Sequence, residues 1–134
     1  MPAATPALTL ELADLSEFGR LVEQQGRRCQ REGQRLSALT LRVQFDEEPD
    51  AGLRQQCLAQ CMHRLHHKVR ATDTLARWES TNFGLLLPRC TPTQAERVLA
   101  RLVRGSSGPY RLQEQLLELS VWGSVFEEMT VRAA

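Results

Sequence analysis

The stretch Arg70-Ala-Thr-Asp-Thr-Leu-Ala-Arg-Trp-Glu-Ser-Thr-Asn-Phe-Gly-Leu-Leu-Leu-Pro88 decides the fold of this chain. It contains two apolar segments, Thr74–Trp78 and residues 83–87, which the four polar residues 79–82 separate. Two strands of this length joined by a short polar loop form a β-hairpin. An Arg-x-x-Asp pair, Arg70 and Asp73, stands directly before the first strand. The stretch therefore predicts a hairpin with a charged pair at its entrance.

Helical and strand periodicities flank this hairpin on both sides. The predicted elements are a helix over 15–32, a strand over 39–45, a helix from 50 to about 69, the hairpin, a helix over 91–105 and a strand within 117–126. Asp14 and the Thr91-Pro92 pair mark helix starts, and Gly123 marks a bulge or close approach. The order α-β-α-β-β-α-β predicts an α/β sandwich of the α+β type with a mixed or antiparallel sheet. We expect the hairpin to lie centrally beside the 39–45 strand, with its alternate apolar residues buried.

Bulk composition limits the classes of function. The chain has 134 residues and a net charge of +1, so it suits one hydrophobic core and has no global charge that would attract nucleic acid. No apolar run approaches the roughly 20 residues of a membrane span, so we expect a cytoplasmic domain without membrane insertion. Residues 1–12 are expected to be a flexible lead, and residues 13–134 a single domain.

Cysteines and histidines on the second predicted helix raise the question of a metal site. Cys57 and Cys61 stand four residues apart, and His63, His66 and His67 follow them. Both cysteines continue the apolar stripe of the helix, and a free cysteine packs as a small hydrophobe. We therefore expect buried structural cysteines, solvent-facing His63 and His67, no bound metal and no other cofactor.

The hairpin stretch resembles the core of a GGDEF domain, the family that makes cyclic di-GMP from two GTP molecules. Family members read R-x-x-D, five residues, G-G-[DE]-E-F, a short apolar strand and then Pro. Arg70, Asp73, the five-residue gap, Phe83 and Pro88 match this pattern. The resemblance covers about residues 14–126, and it implies a nucleotidyl-cyclase-like mixed sheet with a central β-hairpin and flanking helices.

At the positions where the resemblance implies catalytic groups, the chain carries other residues. The family takes metal carboxylates from a D-x-D-x-F strand and from the third position of G-G-[DE]-E-F. The matching residues here are Leu41 and Val43 on the strand and Glu79, Ser80, Thr81 and Asn82 in the loop. Mg²⁺ requires hard oxygen ligands, which alkyl side chains cannot supply. We therefore expect a degenerate former active site and a chain that is not an enzyme.

The resemblance implies that Arg70-x-x-Asp73 is the inhibitory site of the family, which binds cyclic di-GMP away from the active site. An Arg fork can donate to guanine O6 and N7, and a carboxylate can accept from the N–H edge of guanine. Counting from Phe83, Arg101 falls where the family often supplies a third group, and Arg97 lies one turn earlier. We expect these four residues to bind cyclic di-GMP, with the side chains of Arg70, Asp73 and Arg101 exposed and converging on one surface. The alternatives to ligand binding are that Arg70 and Asp73 form only a surface ion pair, or that they are the relic of a former binding site.

The favoured interpretation is a catalytically inactive receptor for cyclic di-GMP. Such a domain would regulate a partner protein, for example one of an exopolysaccharide, pilus or motility system, and a homodimer is compatible with it. One alternative is a protein-interaction module that keeps the fold and binds no nucleotide. Another is a domain that binds GTP in the old cleft and signals by occupancy.

Overall fold

A computed structural model describes residues 8–126 of the chain. Its elements, in chain order, are β1 (Leu8–Glu11), α1 (Leu15–Arg31), β2 (Leu36–Phe45), α2 (Ala51–Lys68), β3 (Thr74–Trp78), β4 (Asn82–Pro88), α3 (Pro92–Ser106), β5 (Tyr110–Leu112), β6 (Gln115–Leu117) and β7 (Leu119–Val125). None of the helices within these residues has the length and apolarity that crossing a bilayer requires.

A five-stranded mixed sheet, in the order β1-β3-β4-β2-β7, forms the centre of the fold. Only β1 and β3 pair in parallel; the other neighbours are antiparallel. The hairpin β3–β4 lies beside β2, where Phe83 pairs with Leu41 and Leu85 with Leu39. Phe83, Leu85 and Leu87 are all buried in the main core. The predicted mixed α+β fold with its central hairpin is therefore confirmed.

Helices cover both faces of the sheet, because each strand presents apolar side chains on alternate sides. α2 and α3 pack on one face and form the larger cluster with β2 and β4. α1 packs on the other face, where Phe18 and Val22 meet Trp78 and Leu86. Asp14, Asp50 and Thr91 cap the three helices, and the Thr91–Gln94 capping box is complete. The helix starts that the sequence predicted are therefore confirmed.

Three local features differ from the predicted order. Residues 8–11, expected to belong to a flexible lead, form β1 because the edge of β3 offers them a parallel partner. The hairpin loop has three residues rather than four, since Asn82 already pairs with Trp78. β5 and β6 form an additional hairpin of three-residue strands, too short for apolar alternation to be visible in the sequence.

Two glycines in strands allow close packing. A Cβ atom on Gly84 would overlap the ring of Phe18, which lies directly above the strand. A Cβ atom on Gly123 would lie 2.6 Å from both Leu41 Cδ2 and Leu99 Cδ1. Gly123 is therefore the close-approach point that the sequence predicted.

The hairpin turn holds two non-glycine residues in the left-handed region. Glu79 has φ 56° and Ser80 has φ 59°, and these are the positions where the resembled family carries two glycines. An L residue pays about 1–2 kcal/mol for this conformation, whereas glycine does not. The turn therefore keeps the backbone shape of a glycine pair while carrying side chains.

Replacing Ser80 by Gly is expected to stabilise the protein by about 0.5–1 kcal/mol. The relieved backbone strain outweighs the larger entropy that glycine gives the unfolded chain. Urea unfolding followed by circular dichroism measures the change, and Ser80→Ala serves as the matched control because it keeps the Cβ atom. A loss of stability in Ser80→Gly would contradict this account of the turn.

Candidate functional site

The Arg-x-x-Asp pair closes a tight turn between α2 and β3. The Asp73 backbone N–H donates to the Arg70 carbonyl at 3.0 Å. In return, Arg70 donates from its backbone N–H to Asp73 Oδ2 at 2.8 Å. Its Nε and Nη2 donate to Asp73 Oδ1 at 3.0 and 2.7 Å. The two residues therefore form one hydrogen-bonded unit rather than two independent surface charges.

The Arg70 guanidinium is held in place from two sides. Its Nη2 also donates to the Pro88 carbonyl at 2.8 Å, so the side chain joins the start of β3 to the end of β4. Hydrogen bonding to Asp73 raises the pKa of Arg70 above its ordinary value. The side chain stays 50 % exposed, and the two N–H groups of Nη1 form no hydrogen bond within residues 8–126. An arginine in this setting is a fixed donor that faces solvent.

The exposure expected for Asp73 is wrong. Its side chain is only 3 % exposed, because both carboxylate oxygens accept hydrogen bonds from Arg70 beneath the turn. A carboxylate in this position cannot accept from the edge of a guanine without first releasing Arg70. Asp73 therefore acts on a ligand only through the orientation that it gives to Arg70.

The two α3 arginines of the predicted site lie on the solvent side of that helix. Arg97 and Arg101 are exposed and stand one turn apart. One turn further on, Gly105 lies against the Lys68 side chain at the end of α2, two residues before Arg70. Within the described part of the chain, neither Arg97 nor Arg101 forms an ion pair. The contact of Gly105 with Lys68 brings the C-terminal ends of α3 and α2 together, and Arg101 lies one turn before Gly105.

Sequence reasoning missed two further arginines at the same end of the sheet. The Arg89 backbone N–H donates to the Arg35 carbonyl at 2.7 Å, which extends the pairing of β2 with β4 by one residue. Arg89 follows Pro88, the residue whose carbonyl binds Arg70, and it has φ 57°. Both side chains are exposed and, across residues 8–126, carry no ion-pair partner.

Like charges on neighbouring strands repel one another unless an anion lies between them. Arg35 and Arg89 therefore add positive charge beside Arg70. Their only signal in the sequence is their position at the outer ends of two strands, and the pairing register is needed to bring them together.

Leu41 and Val43 stand at the two strand positions where the family carries metal-binding carboxylates, and they do not suit Mg²⁺. Leu41 and Val43 are 2 % and 5 % exposed, and their side chains pack in the main core beneath α2 and α3. In the loop, Glu79 and Ser80 are exposed, and the Thr81 carbonyl accepts from the Val43 backbone N–H at 2.9 Å. Buried alkyl groups offer no oxygen to a hard cation. No metal-dependent step can be assigned to Leu41 and Val43.

An open cavity of about 370 Å³ lies beside the hairpin on the α1 face of the sheet. Its principal walls are Arg42, Trp78, Asn82, Trp122 and Phe126. Trp122 is 61 % exposed, which is unusual for so large an apolar side chain. The aromatic walls suit a flat apolar ring better than a polyphosphate, although Arg42 supplies one exposed charge.

The cysteines have the structural role that the sequence predicted. All four are free and buried. Burial, followed by the charge of Cys61, raises the pKa of Cys57 to about 11. This thiol is therefore protonated at neutral pH, and it is unsuited to metal binding or nucleophilic attack.

Comparison with known proteins places the chain in a family. The family described as "Diguanylate cyclase, GGDEF domain" matches residues 16–127. This chain therefore belongs to the GGDEF domain family. Among curated proteins no relative matches.

Solved structures share the fold at low identity. The GGDEF domain of YfiN (TpbB) from Pseudomonas aeruginosa aligns with a TM-score of 0.65 at 18 % identity, over 84 % of this chain and 75 % of that one. The diguanylate cyclase SiaD of the same organism, solved with its activator SiaC, aligns at 0.62 and 22 % identity, over 82 % of this chain and 44 % of SiaD. The GGDEF domain of DgcB from Caulobacter crescentus, solved with c-di-GMP, aligns at 0.55 and 12 %, over 84 % and 71 %.

The prediction that the chain is not an enzyme is contradicted by these matches. The family is described as diguanylate cyclase, and SiaD, whose structure is similar, is itself named as one. An enzyme is the interpretation that family membership favours. Replaced motif letters were too little evidence to deny the chain an activity.

Proposed function

We propose that this GGDEF domain binds cyclic di-GMP at the surface around Arg70, and that occupancy of the site regulates a partner protein. The observation that carries the proposal is the fixed, half-exposed guanidinium of Arg70, held by Asp73 and by the Pro88 carbonyl. A positioned arginine loses little freedom when it meets a guanine edge or a phosphate. This saving in entropy distinguishes Arg70 from an ordinary surface arginine.

The neighbouring charges support an anionic ligand with more than one contact point. Arg101 and Arg97 lie on the exposed side of α3, and Arg35 and Arg89 stand at the ends of β2 and β4. Cyclic di-GMP carries two phosphates and two guanines, so it can use several arginines at once. In this proposal Arg70 and Arg101 contact the ligand, Arg97 adds charge, and Asp73 positions Arg70.

The regulated partner is proposed from the family alone. SiaD, a diguanylate cyclase whose structure is similar over 44 % of its length, was solved in complex with its activator SiaC. For this chain, a protein of an exopolysaccharide, pilus or motility system remains the proposed class of partner.

Family membership favours diguanylate cyclase activity as a second candidate function. Because Leu41 and Val43 cannot bind a metal, Mg²⁺ would need oxygen ligands from other groups. Incubation with GTP and Mg²⁺ or Mn²⁺ decides this candidate. Cyclic di-GMP in excess of a mock preparation supports it, and its absence at high protein concentration rejects it.

Calorimetric titration of the purified protein with cyclic di-GMP, and separately with GTP and Mg²⁺, tests the proposed binding site. We expect saturable binding of cyclic di-GMP with an affinity that weakens as salt is added, because arginine–phosphate contacts are screened. Binding of GTP alone would support occupancy of the hairpin cleft instead. If neither nucleotide binds, the domain is a protein-interaction module.

A further inference from the structure

Two histidines on the exposed face of α2 face each other at hydrogen-bonding distance. His63 and His67 are one helical turn apart, and their Nε2 atoms are 3.0 Å from each other. The rings are nearly perpendicular, at 84°, with centroids 4.4 Å apart. Both side chains are exposed, so a solute can reach the two nitrogens without a change in the fold.

We propose that His63 and His67 form a two-histidine site for a divalent transition-metal ion that prefers right-angled coordination, such as Ni²⁺ or Cu²⁺. Imidazole nitrogens bind these ions at about 2.1 Å. Two nitrogens 3.0 Å apart at that bond length subtend about 90° at the metal. This angle suits square-planar or octahedral ions better than tetrahedral Zn²⁺.

Nearby positive charges face away from the pair. The Arg64 guanidinium lies over the Tyr110 ring, 3.7 Å from its centroid, and the Lys68 side chain lies against Gly105. The pair also lies in the last two turns of α2, where the helix dipole favours a cation. The charges of Arg64 and Lys68 therefore repel a metal ion at the histidine pair less than their positions in the sequence suggest.

The site has two protein ligands and open positions for water. Within residues 8–126 no group of three or more His, Cys, Asp or Glu side chains is placed to bind one ion. Cys57 and Cys61 lie on the buried side of the same helix and cannot reach the pair. Beside His63, an open hollow of about 340 Å³ lined by Gln56, Gln60 and Leu112 leaves room for coordinated water.

The third histidine of the segment provides a matched control. His66 Nε2 is 2.6 Å from the Thr9 hydroxyl oxygen, and its Nδ1 is buried. It therefore has no free nitrogen for an ion at the surface. A variant of His66 tests whether any histidine of α2 contributes or only the exposed pair.

Titration with NiCl₂, on protein free of any histidine tag, tests the proposal. We expect one Ni²⁺ per chain and a rise in the unfolding temperature, because the folded state holds the two nitrogens together. His63→Ala and His67→Ala should each weaken Ni²⁺ binding at least about tenfold, since the ion keeps one attachment instead of two. His66→Gln should bind as the unaltered protein does.

Three results would overturn the assignment. They are equal Ni²⁺ affinity in His63→Ala, equal loss in His66→Gln, and tighter binding of Zn²⁺ than of Ni²⁺. Circular dichroism of each variant without metal shows whether it is folded, so that a loss of binding is not confused with unfolding. The site is independent of the cyclic di-GMP proposal, and either can fail alone.

Discussion

Replacing Phe18 by Ala is expected to lower the free energy of unfolding by about 3–5 kcal/mol. The Phe18 side chain is fully buried between α1 and the sheet. Its ring stacks on Trp78 with centroids 5.3 Å apart and meets Phe126 edge-on at 5.5 Å. It also occupies the space above Gly84, where a Cβ atom would overlap the ring. Removing the ring therefore loses the free energy gained by burying its apolar surface, and it leaves a cavity under α1.

Urea unfolding of Phe18→Ala against the unaltered protein measures this loss. Leu15→Ala is the matched control, because Leu15 is in the same helix and is 50 % exposed. We expect the control to change stability by less than about 1 kcal/mol. A loss below about 1 kcal/mol in Phe18→Ala would show that α1 does not depend on this contact.

Replacing Arg70 by Ala is expected to weaken cyclic di-GMP binding about 10- to 100-fold, which corresponds to about 1–3 kcal/mol for a charge-assisted or guanine-directed contact. The substitution removes the exposed Nη1 donors that the ligand is proposed to meet. It also removes two of the three hydrogen bonds that satisfy the buried Asp73 carboxylate. Only the backbone N–H bond of these three survives in the variant.

Three further variants separate positioning from charge. Arg70→Lys keeps the charge without the planar fork, so its affinity should fall between those of the unaltered protein and Arg70→Ala. Asp73→Asn weakens the hydrogen bonding that orients Arg70, so it should reduce affinity although Arg70 and Arg101 both remain. Arg27→Ala is the control, because Arg27 pairs with Glu23 on the surface of α1. An equal loss in Arg27→Ala would mean that only net charge matters.

The regular elements could be predicted from the sequence because their signals are local. Helix starts at Asp14, Asp50 and Thr91 follow from capping side chains, and the hairpin follows from two apolar segments around a polar loop. Strand β1 could not be found in this way. Residues 8–11 form a strand only because the folded protein offers the edge of β3.

The candidate site could be predicted only in part, because some of its residues are close together in the sequence and others meet only in the folded chain. Arg70 and Asp73 are close in sequence, and the structure joins them directly. The burial of Asp73 depends on how the turn packs against β4. The spacing of residues in the sequence does not reveal this packing. Arg35 and Arg89 are 54 residues apart in the chain and meet only through the β2–β4 register. The conclusion about enzyme activity failed because it rested on replaced residues in two motifs, the 41–45 strand and the 79–82 loop, rather than on the family as a whole.

The central claim is that cyclic di-GMP binds at Arg70, and side-chain NMR of ¹⁵N-labelled protein tests it most directly. On addition of cyclic di-GMP, the Arg70 Nε–Hε signal and the backbone amides of Arg89 and Arg101 should shift together and saturate. The amides of Asn82 and Trp122 at the hairpin cavity should stay unchanged. Shifts confined to the hairpin cavity, or no shift at high micromolar ligand, would contradict the proposed site.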